Sequence, residues 1–421
     1  MKTELAYGKS GLLVDLPDNA TTIIEPKFIP GLPDTEGAVR SALRNPIGTA
    51  PLRHLVTPSN TIAISVCDIT RPIPTFKILS VLLKELQHVP PEQIVILVAT
   101  GTHRSNTIEE LNLMLGADIV SEFQVINHDA FNEANTKYVG RTQDGIPIWL
   151  NSYWLDAQIR ITLGFAEPHF FAGFSGGPKM VAPGLAGIDT IMELHSPKLI
   201  GNPNSIWGRT SDNPIHQSIR EITDLTGVSF GIDVTINRLH QITSVYAGEI
   251  FEEHEAAMSV AKRTAMQPVK NKFDVVVTTN SGFPLDLNLY QTVKGLSAAA
   301  QIVKDGGSII CASECSDGIP DQGEYGKIIQ ESENLEQLSS LVNCLSYRRH
   351  DQWQVQLQVA IQQEAQVYLK SDYLSDQQIH AAYMKPVSDI GIKVRELLSI
   401  YGPSSEVCVL PQGPQTIPFV A

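Results

Sequence analysis

Basic residues are the minority here: 31 Lys and Arg stand against 45 Asp and Glu, a formal net charge of -14. That balance supplies no general basic surface for nucleic acid, while an anionic substrate stays compatible wherever a few Lys and Arg set the local field. Long apolar runs are missing as well. No segment reaches about 18 consecutive apolar residues, so a membrane span is not expected. The opening MKTELAYGKSGLLVDLPDN has charges breaking every apolar run, unlike a secretory leader. Cysteine is scarce: Cys67, Cys311, Cys315, Cys344 and Cys408 are five, scattered over 421 residues. An odd, dispersed set fits a reducing compartment better than a disulfide framework, and Cys311 and Cys315 lack the further partners of a zinc site. The expected location is the cytoplasm. Standard nucleotide motifs are absent too: GFSGGPK lacks the spacing of a Walker loop, and GGSIICASECSDG lacks the glycine pattern of a dinucleotide fold.

What is present reads as a two-domain α/β protein. The length exceeds one average domain, and 43% apolar residues suit a globular enzyme. Short strands are expected at LAYG and LLVDLP. TIAISV is followed by polar CDITRPIPT and the helical pattern TFKILSVLLKEL, and IVILVAT leads into GTHRSNTIEELNLML. Strand, polar loop and helix thus occur twice in succession, which predicts mostly parallel or mixed sheets flanked by helices, with ligand residues at the C-terminal ends of strands. QIRITLGF is a further strand, and GIDTIMELHSP a helix that stops at Pro197. A polar stretch, KRTAMQPVKNKF, precedes a new β-α-β pattern built from FDVVVTTN, YQTVKGLSAAAQIV and GSIICASE. The expected domains are therefore 1–265 and 266–421, with a binding cleft between them. The Gln-rich region from 321 to 366 reads as surface helices and loops, although DQWQVQLQVAIQQEAQ has enough Val and Ile for a strand. LLSIYGPSSEVCVLP predicts a late helix, a turn and a last strand, which could join either domain.

Several polar residues fall at the predicted strand ends. Asp68 and Arg71 follow the first strand, where they could form a local ion pair or line a cleft; Pro72 and Pro74 stiffen their loop. His103 and Arg104 follow the second strand. Then comes AEPHFFAGFSGGPKM, which carries His169, Ser175, Gly176, Gly177 and Lys179. Glycines can present successive backbone amides to a phosphate, and Ser175 can add a hydroxyl. Lys179 could be a surface lysine, a phosphate contact or a reactive amine. His103 and His169 could meet from opposite sides of one ligand as proton-handling groups, and His195, in the last turn of its helix, could cap it or bind a transition metal.

With DITRP at 68–72, GTHR at 101–104, EPHFFAGFSGGPK at 167–179, LH at 194–195 and LYQTVKG at 289–295, the chain closely resembles the lactate racemase family. The resemblance implies a 2-hydroxy-acid racemase or epimerase that works by reversible hydride transfer from C2 to a nickel-pincer nucleotide, a pyridine mononucleotide with two sulfur donors and a carbon donor holding nickel. Lys179 matches the lysine that carries this cofactor through a thioamide, and His195 matches the protein ligand to nickel. Ser175, Gly176 and Gly177 would admit the phosphate end. His103 and His169 match the acid/base pair. Arg71 would hold the substrate carboxylate with Asp68 fixing nearby groups, and Tyr290, Gln291 and Lys294 match further substrate-pocket positions. Cofactor-building enzymes are implied as partners for activation. Lactate, malate, longer hydroxy acids and sugar acids share the carboxylate, so Arg71 does not choose among them. Two alternatives stand beside this reading: a net 2-hydroxy-acid dehydrogenase with the same cofactor, and a non-catalytic nucleotide-cofactor binding protein.

Overall fold

The computed structural model describes residues 1–320 and 323–421. The chain forms two compact units. One comprises Phe28–His195 and Asn204–Lys262, the other Met1–Lys27, Ser196–Pro203 and Arg263–Ala421. Each is an α/β layer structure around a six-stranded sheet.

In the first unit the sheet begins at its middle. Ile62–Val66 lies centrally, and the chain steps outward on one side through Ile94–Val98 to Gln124–Asn127. It then returns to the other side of Ile62–Val66 as Ile159–Phe165 and Phe230–Ile236, all in parallel. Ile242–Gly248 closes the sheet as an antiparallel edge. IAISV and IVILV are fully buried because helices cover both faces of the sheet, which is why these segments read as continuous apolar runs rather than alternating ones. Thr75–Glu85 turns Ile78, Leu79, Val81 and Leu82 into that core. Ile108–Leu115 starts at a capping box in which Thr107 and Glu110 satisfy each other's backbone amides.

The second unit's sheet is parallel throughout, in the order Lys385–Pro386, Gln366–Lys370, Val303–Ala312, Phe273–Thr279, Val407–Leu410 and Thr21–Ile23. Successive side chains alternate between two cores: Val276, Ile309 and Cys408 pack on one face, Val275, Ile310 and Val407 on the other. The last strand of the expected LLSIYGPSSEVCVLP pattern, Val407–Leu410, lies inside this sheet. Leu5, Tyr7, Val14 and Leu16, from the start of the chain, pack into the same core as Val407 and Val409.

In the Gln-rich region, read as surface helices and loops, the segment DQWQVQLQVAIQQEAQ is helical rather than a strand, but it is not on the surface. Gln352–Glu364 is a helix, and Gln352, Gln354, Gln356 and Gln358 are buried. The amide nitrogens are partnered: Gln354 donates to the Tyr290 carbonyl at 2.6 Å, Gln356 to the Pro197 carbonyl at 3.0 Å and Gln358 to the Ala382 carbonyl at 3.0 Å, while the Gln354 and Gln356 Oε1 atoms have no hydrogen-bond partner among the described residues. Asp321 and Gln322, at the start of that region, lie outside the described residues. Among the described residues no helix is long and apolar enough to cross a membrane.

Candidate active site

The strand order of the first unit reverses between Ile62–Val66 and Ile159–Phe165. At such a switch point adjacent loops leave in opposite directions and open a crevice at the carboxyl ends of the strands. Asp68, Arg71 and His103 follow two of these ends, and the segment from Glu167 to Lys179 follows the third.

Asp68 and Arg71 do not pair with each other. Asp68 is buried, and its Oδ2 takes the His103 Nδ1 hydrogen at 2.6 Å while Oδ1 accepts from the Thr70 hydroxyl at 2.7 Å. Burial disfavours the carboxylate, but His103, the Thr70 hydroxyl and the Arg71 charge outweigh it and hold the Asp68 carboxyl below its ordinary value. A carboxylate only accepts, so His103 carries its hydrogen on Nδ1 and, when neutral, presents a lone pair on Nε2. Its side chain is part exposed, at 36%. Arg71 reaches across to Glu167, Nη1 to Oε1 at 3.2 Å.

His169 lies in a two-residue strand, Pro168–His169, paired with Gly173–Phe174. Its Nδ1 accepts the Ala172 amide at 3.3 Å, so the neutral ring carries its hydrogen on Nε2. The two histidines are therefore held in opposite tautomers. Phe171 links the remaining groups: its ring lies edge-on to His169 at 4.5 Å and to His195 at 5.2 Å between centroids, and the Lys179 Nζ stands 6.0 Å from its centre. His195 is buried at the C-terminal cap of Ile188–Leu194, with Nδ1 donating to the Ile191 carbonyl at 2.7 Å. That bond places the imidazole lone pair on Nε2, the form a metal requires.

The Gly-rich turn is more inward-looking than an amide cradle. The Ser175 hydroxyl lies 3.3 Å from the Phe165 carbonyl oxygen and 3.4 Å from that of Glu167, and the Gly177 amide donates to Asp233 Oδ1 at 3.1 Å. Gly176 and Gly177 have φ of +83° and +44°. A Cβ on Gly176 would stand 2.8 Å from both Asp233 carboxylate oxygens, and one on Gly177 would overlap the His254 ring. Glycine is needed because the backbone passes so close to these two side chains. Lys179 sits on the following 3-10 turn, Gly177–Met180, its amide donating to the Gly176 carbonyl at 3.0 Å.

The other matched residues belong to the second unit. Tyr290, Gln291 and Lys294 lie on the first turns of Leu289–Ala300, whose cap is the Asn288 side chain accepting from the Gln291 amide at 3.1 Å. The Tyr290 hydroxyl accepts from the Trp353 indole at 3.2 Å, and burial and the Asp351 charge push the phenol pKa up.

Residues that sequence reasoning left without a role are Glu167, Phe171, Asp233 and His254. Glu167 and Phe171 lay in plain view inside the quoted EPHFFAGFSGGPK block. Asp233 had a signal as well: it is an acid in the middle of the apolar strand FGIDVTI. His254 falls on the buried stripe of its helix, with Ile250, Ala257, Met258 and Ala261.

Among the described residues no group of three or more His, Cys, Asp and Glu side chains could hold a metal ion. A metal at this site would have to bring most of its donors with it, and His195 would offer it Nε2. The Lys179 amine and the His195 ring lie by the same Phe171 ring. The residues fit a metal-bearing cofactor that supplies its own ligands.

Fold and site define an α/β protein of two units, with an Asp-oriented histidine, a second histidine of opposite tautomer, and a lysine and histidine around one phenylalanine. The N-terminal domain model of lactate racemase matches residues 7–208, and the C-terminal domain model of lactate racemase matches residues 269–417. Lactate racemase of Thermoanaerobacterium thermosaccharolyticum is 34% identical over 423 residues, covering 98% of each chain. That of Lactiplantibacillus plantarum is 33% identical over 377 residues, covering 89% of each. The structure of the Thermoanaerobacterium lactate racemase apoprotein superposes with a TM-score of 0.92 at 33% identity, over 99% of this chain and 100% of that one. A Thermotoga maritima protein shares the fold, with a TM-score of 0.72 at 18% identity over 94% of this chain and 100% of its own. The chain belongs to the lactate racemase family.

Proposed function

We propose that this chain interconverts the stereoisomers of a 2-hydroxy acid as a nickel-pincer nucleotide-dependent racemase or epimerase. The observation that carries the reading is the opposed tautomers of His103 and His169, in a chain of this family. When inversion passes through a planar keto acid, the hydroxyl proton is taken on one side and returned on the other. His103, with its Nε2 lone pair, takes the hydroxyl proton and becomes an imidazolium, while His169 donates from Nε2 as an imidazolium after taking up a proton at Nδ1 in place of the Ala172 amide bond, and ends neutral with its lone pair on Nε2; the reverse direction exchanges the two roles. Asp68 keeps His103 in the accepting tautomer and stabilises its ring once protonated. Arg71, steered by Glu167, takes the substrate carboxylate, for which a planar two-pronged cation is the apt partner.

When bound, the cofactor supplies a reversible two-electron acceptor beside C2. Lys179 is its point of attachment and His195 Nε2 its protein ligand to nickel. Phe171, lying against both, gives the site an apolar wall that excludes water. The family pattern assigns Tyr290, Gln291 and Lys294 to the substrate as well. Activation then depends on partner enzymes that build and load the cofactor.

The test uses protein produced together with those enzymes and a 2-hydroxy acid deuterated at C2. The expected product is the opposite stereoisomer with its deuterium retained. Exchange of the label with water ahead of inversion overturns the mechanism, and keto acid accumulating as the label departs favours a dehydrogenase.

A further inference from the structure

Beneath the Lys179 turn lies a pair of side chains that the proposed chemistry does not use. Asp233 is fully buried on the strand Phe230–Ile236, and His254 is 1% exposed on the helix Ile250–Ala265. His254 Nδ1 donates to Asp233 Oδ2 at 2.5 Å, and Asp233 Oδ1 accepts the Gly177 amide at 3.1 Å. One carboxylate thus ties a helix and the lysine-bearing turn to the sheet. Burying an acid in a sheet core is costly unless both oxygens are partnered, and a hydrophobic residue would fill that volume at less expense.

Three glycines give way to this carboxylate or its partner. A Cβ at Gly164 would stand 2.7 Å from Asp233 Oδ1, Gly176 would meet both oxygens, and Gly177 would meet the His254 ring. The neighbouring Glu253 is also buried, and burial with the Asp233 and Glu249 charges pushes its pKa well up. Of the two buried acids it is Asp233 that engages the turn, through the Gly177 amide.

We infer that Asp233 and His254 are positioning residues that set the Gly176–Met180 turn, and through it the direction in which Lys179 presents its amine for attachment of the cofactor. The inference rests on the reading of Lys179 as the attachment residue. The mechanical claim is separable from that reading. Asp233 fixes a backbone amide two residues before Lys179, so removing it frees the turn whatever the amine carries.

Three variants and two readouts decide it. In apo protein, hydrogen exchange of the peptide carrying residues 173–181 should quicken about tenfold or more in Asp233→Asn and His254→Ala, with the rest of the sheet unchanged. His254→Asn, whose amide can still donate near the Nδ1 position, should restore most of the protection. In protein loaded by the cofactor-building enzymes, intact mass should show the Lys179 adduct reduced about tenfold in Asp233→Asn and His254→Ala, and recovered in His254→Asn. Unchanged exchange in the turn overturns the inference, as does wild-type adduct occupancy in both disrupted variants. Wild-type protein that is active but carries no adduct on Lys179 defeats the attachment reading instead, and the exchange result then still decides whether the pair sets the turn.

Discussion

Asp68 shows how one residue's surroundings select its task. Three residues before Arg71 in sequence, it pairs instead with His103, and in the proposed mechanism that pairing sets the tautomer and supports the ring as it takes a proton. Asp68→Asn keeps the shape and removes the charge. In loaded enzyme the interconversion rate should fall by about 100-fold or more, with the Lys179 adduct retained by mass, because the acceptor loses its electrostatic support. His216 offers a prediction in pH. Burial above all, with the neighbouring His254 and smaller pushes from Arg220 and Lys179, takes its pKa down to about 4. An unfolded chain protonates histidine near pH ~6.5. The folded form is therefore favoured above that value, and its advantage is lost as pH falls from there through about 4. The loss from this group is up to roughly 3 kcal/mol. His216→Asn, which can still donate to the Ala172 carbonyl, should flatten that limb in denaturant unfolding measured across the same pH window.

Among the elements, the helix Gln352–Glu364 is the least ordinary. It is polar by composition and buried by position, and the amide nitrogens of Gln354, Gln356 and Gln358 each find a specific carbonyl. Gln358 accepts from the buried Tyr325 hydroxyl while donating to the Ala382 carbonyl. Gln358→Leu strands that hydroxyl and should cost about 1–3 kcal/mol, whereas adding Tyr325→Phe should recover most of the loss. Chemical denaturation of the two single variants and the double variant checks this. The recovery is the distinguishing outcome, since a simple misfit of leucine would leave the double variant no better. The Gly-rich turn follows a related logic, in which glycine admits Asp233 and His254 close to the backbone.

In the whole molecule the chain leaves and re-enters each unit. Residues Met1–Lys27 belong with Arg263–Ala421, and their strand Thr21–Ile23 pairs in parallel with Val407–Leu410. A residue near the start of the chain should therefore govern the stability of a sheet built mostly from its end. Leu5 is fully buried in the core that holds Val275, Ile310 and Val409. Leu5→Ala should cost about 2–5 kcal/mol. Hydrogen exchange should show the loss in Val407–Leu410 and Phe273–Thr279, with little change in Ile62–Val66; an effect confined to the first strands would contradict the shared core.

Sequence by itself determined the local elements wherever one physical signal dominated. The runs IAISV and IVILV became central strands because a sheet covered on both faces demands continuous apolarity. TFKILSVLLKEL became a helix because its apolar residues recur at helical spacing. The motifs at 68–72, 101–104 and 167–179 fell at strand ends, where a parallel sheet collects its ligands, and the family was legible from them. Only the tertiary structure decided which polar groups meet. Asp68 could have paired with Arg71, as its spacing allows, and instead found His103 at the end of the neighbouring strand Ile94–Val98. Glu167 took Arg71, and Phe171 gathered His169, Lys179 and His195. Asp233 and His254, far from the Gly-rich turn in sequence, came to lie against it. The Gln-rich helix was misread for the same reason: composition reports the average cost of burying an amide, and the actual cost depends on partners that only folding brings within reach.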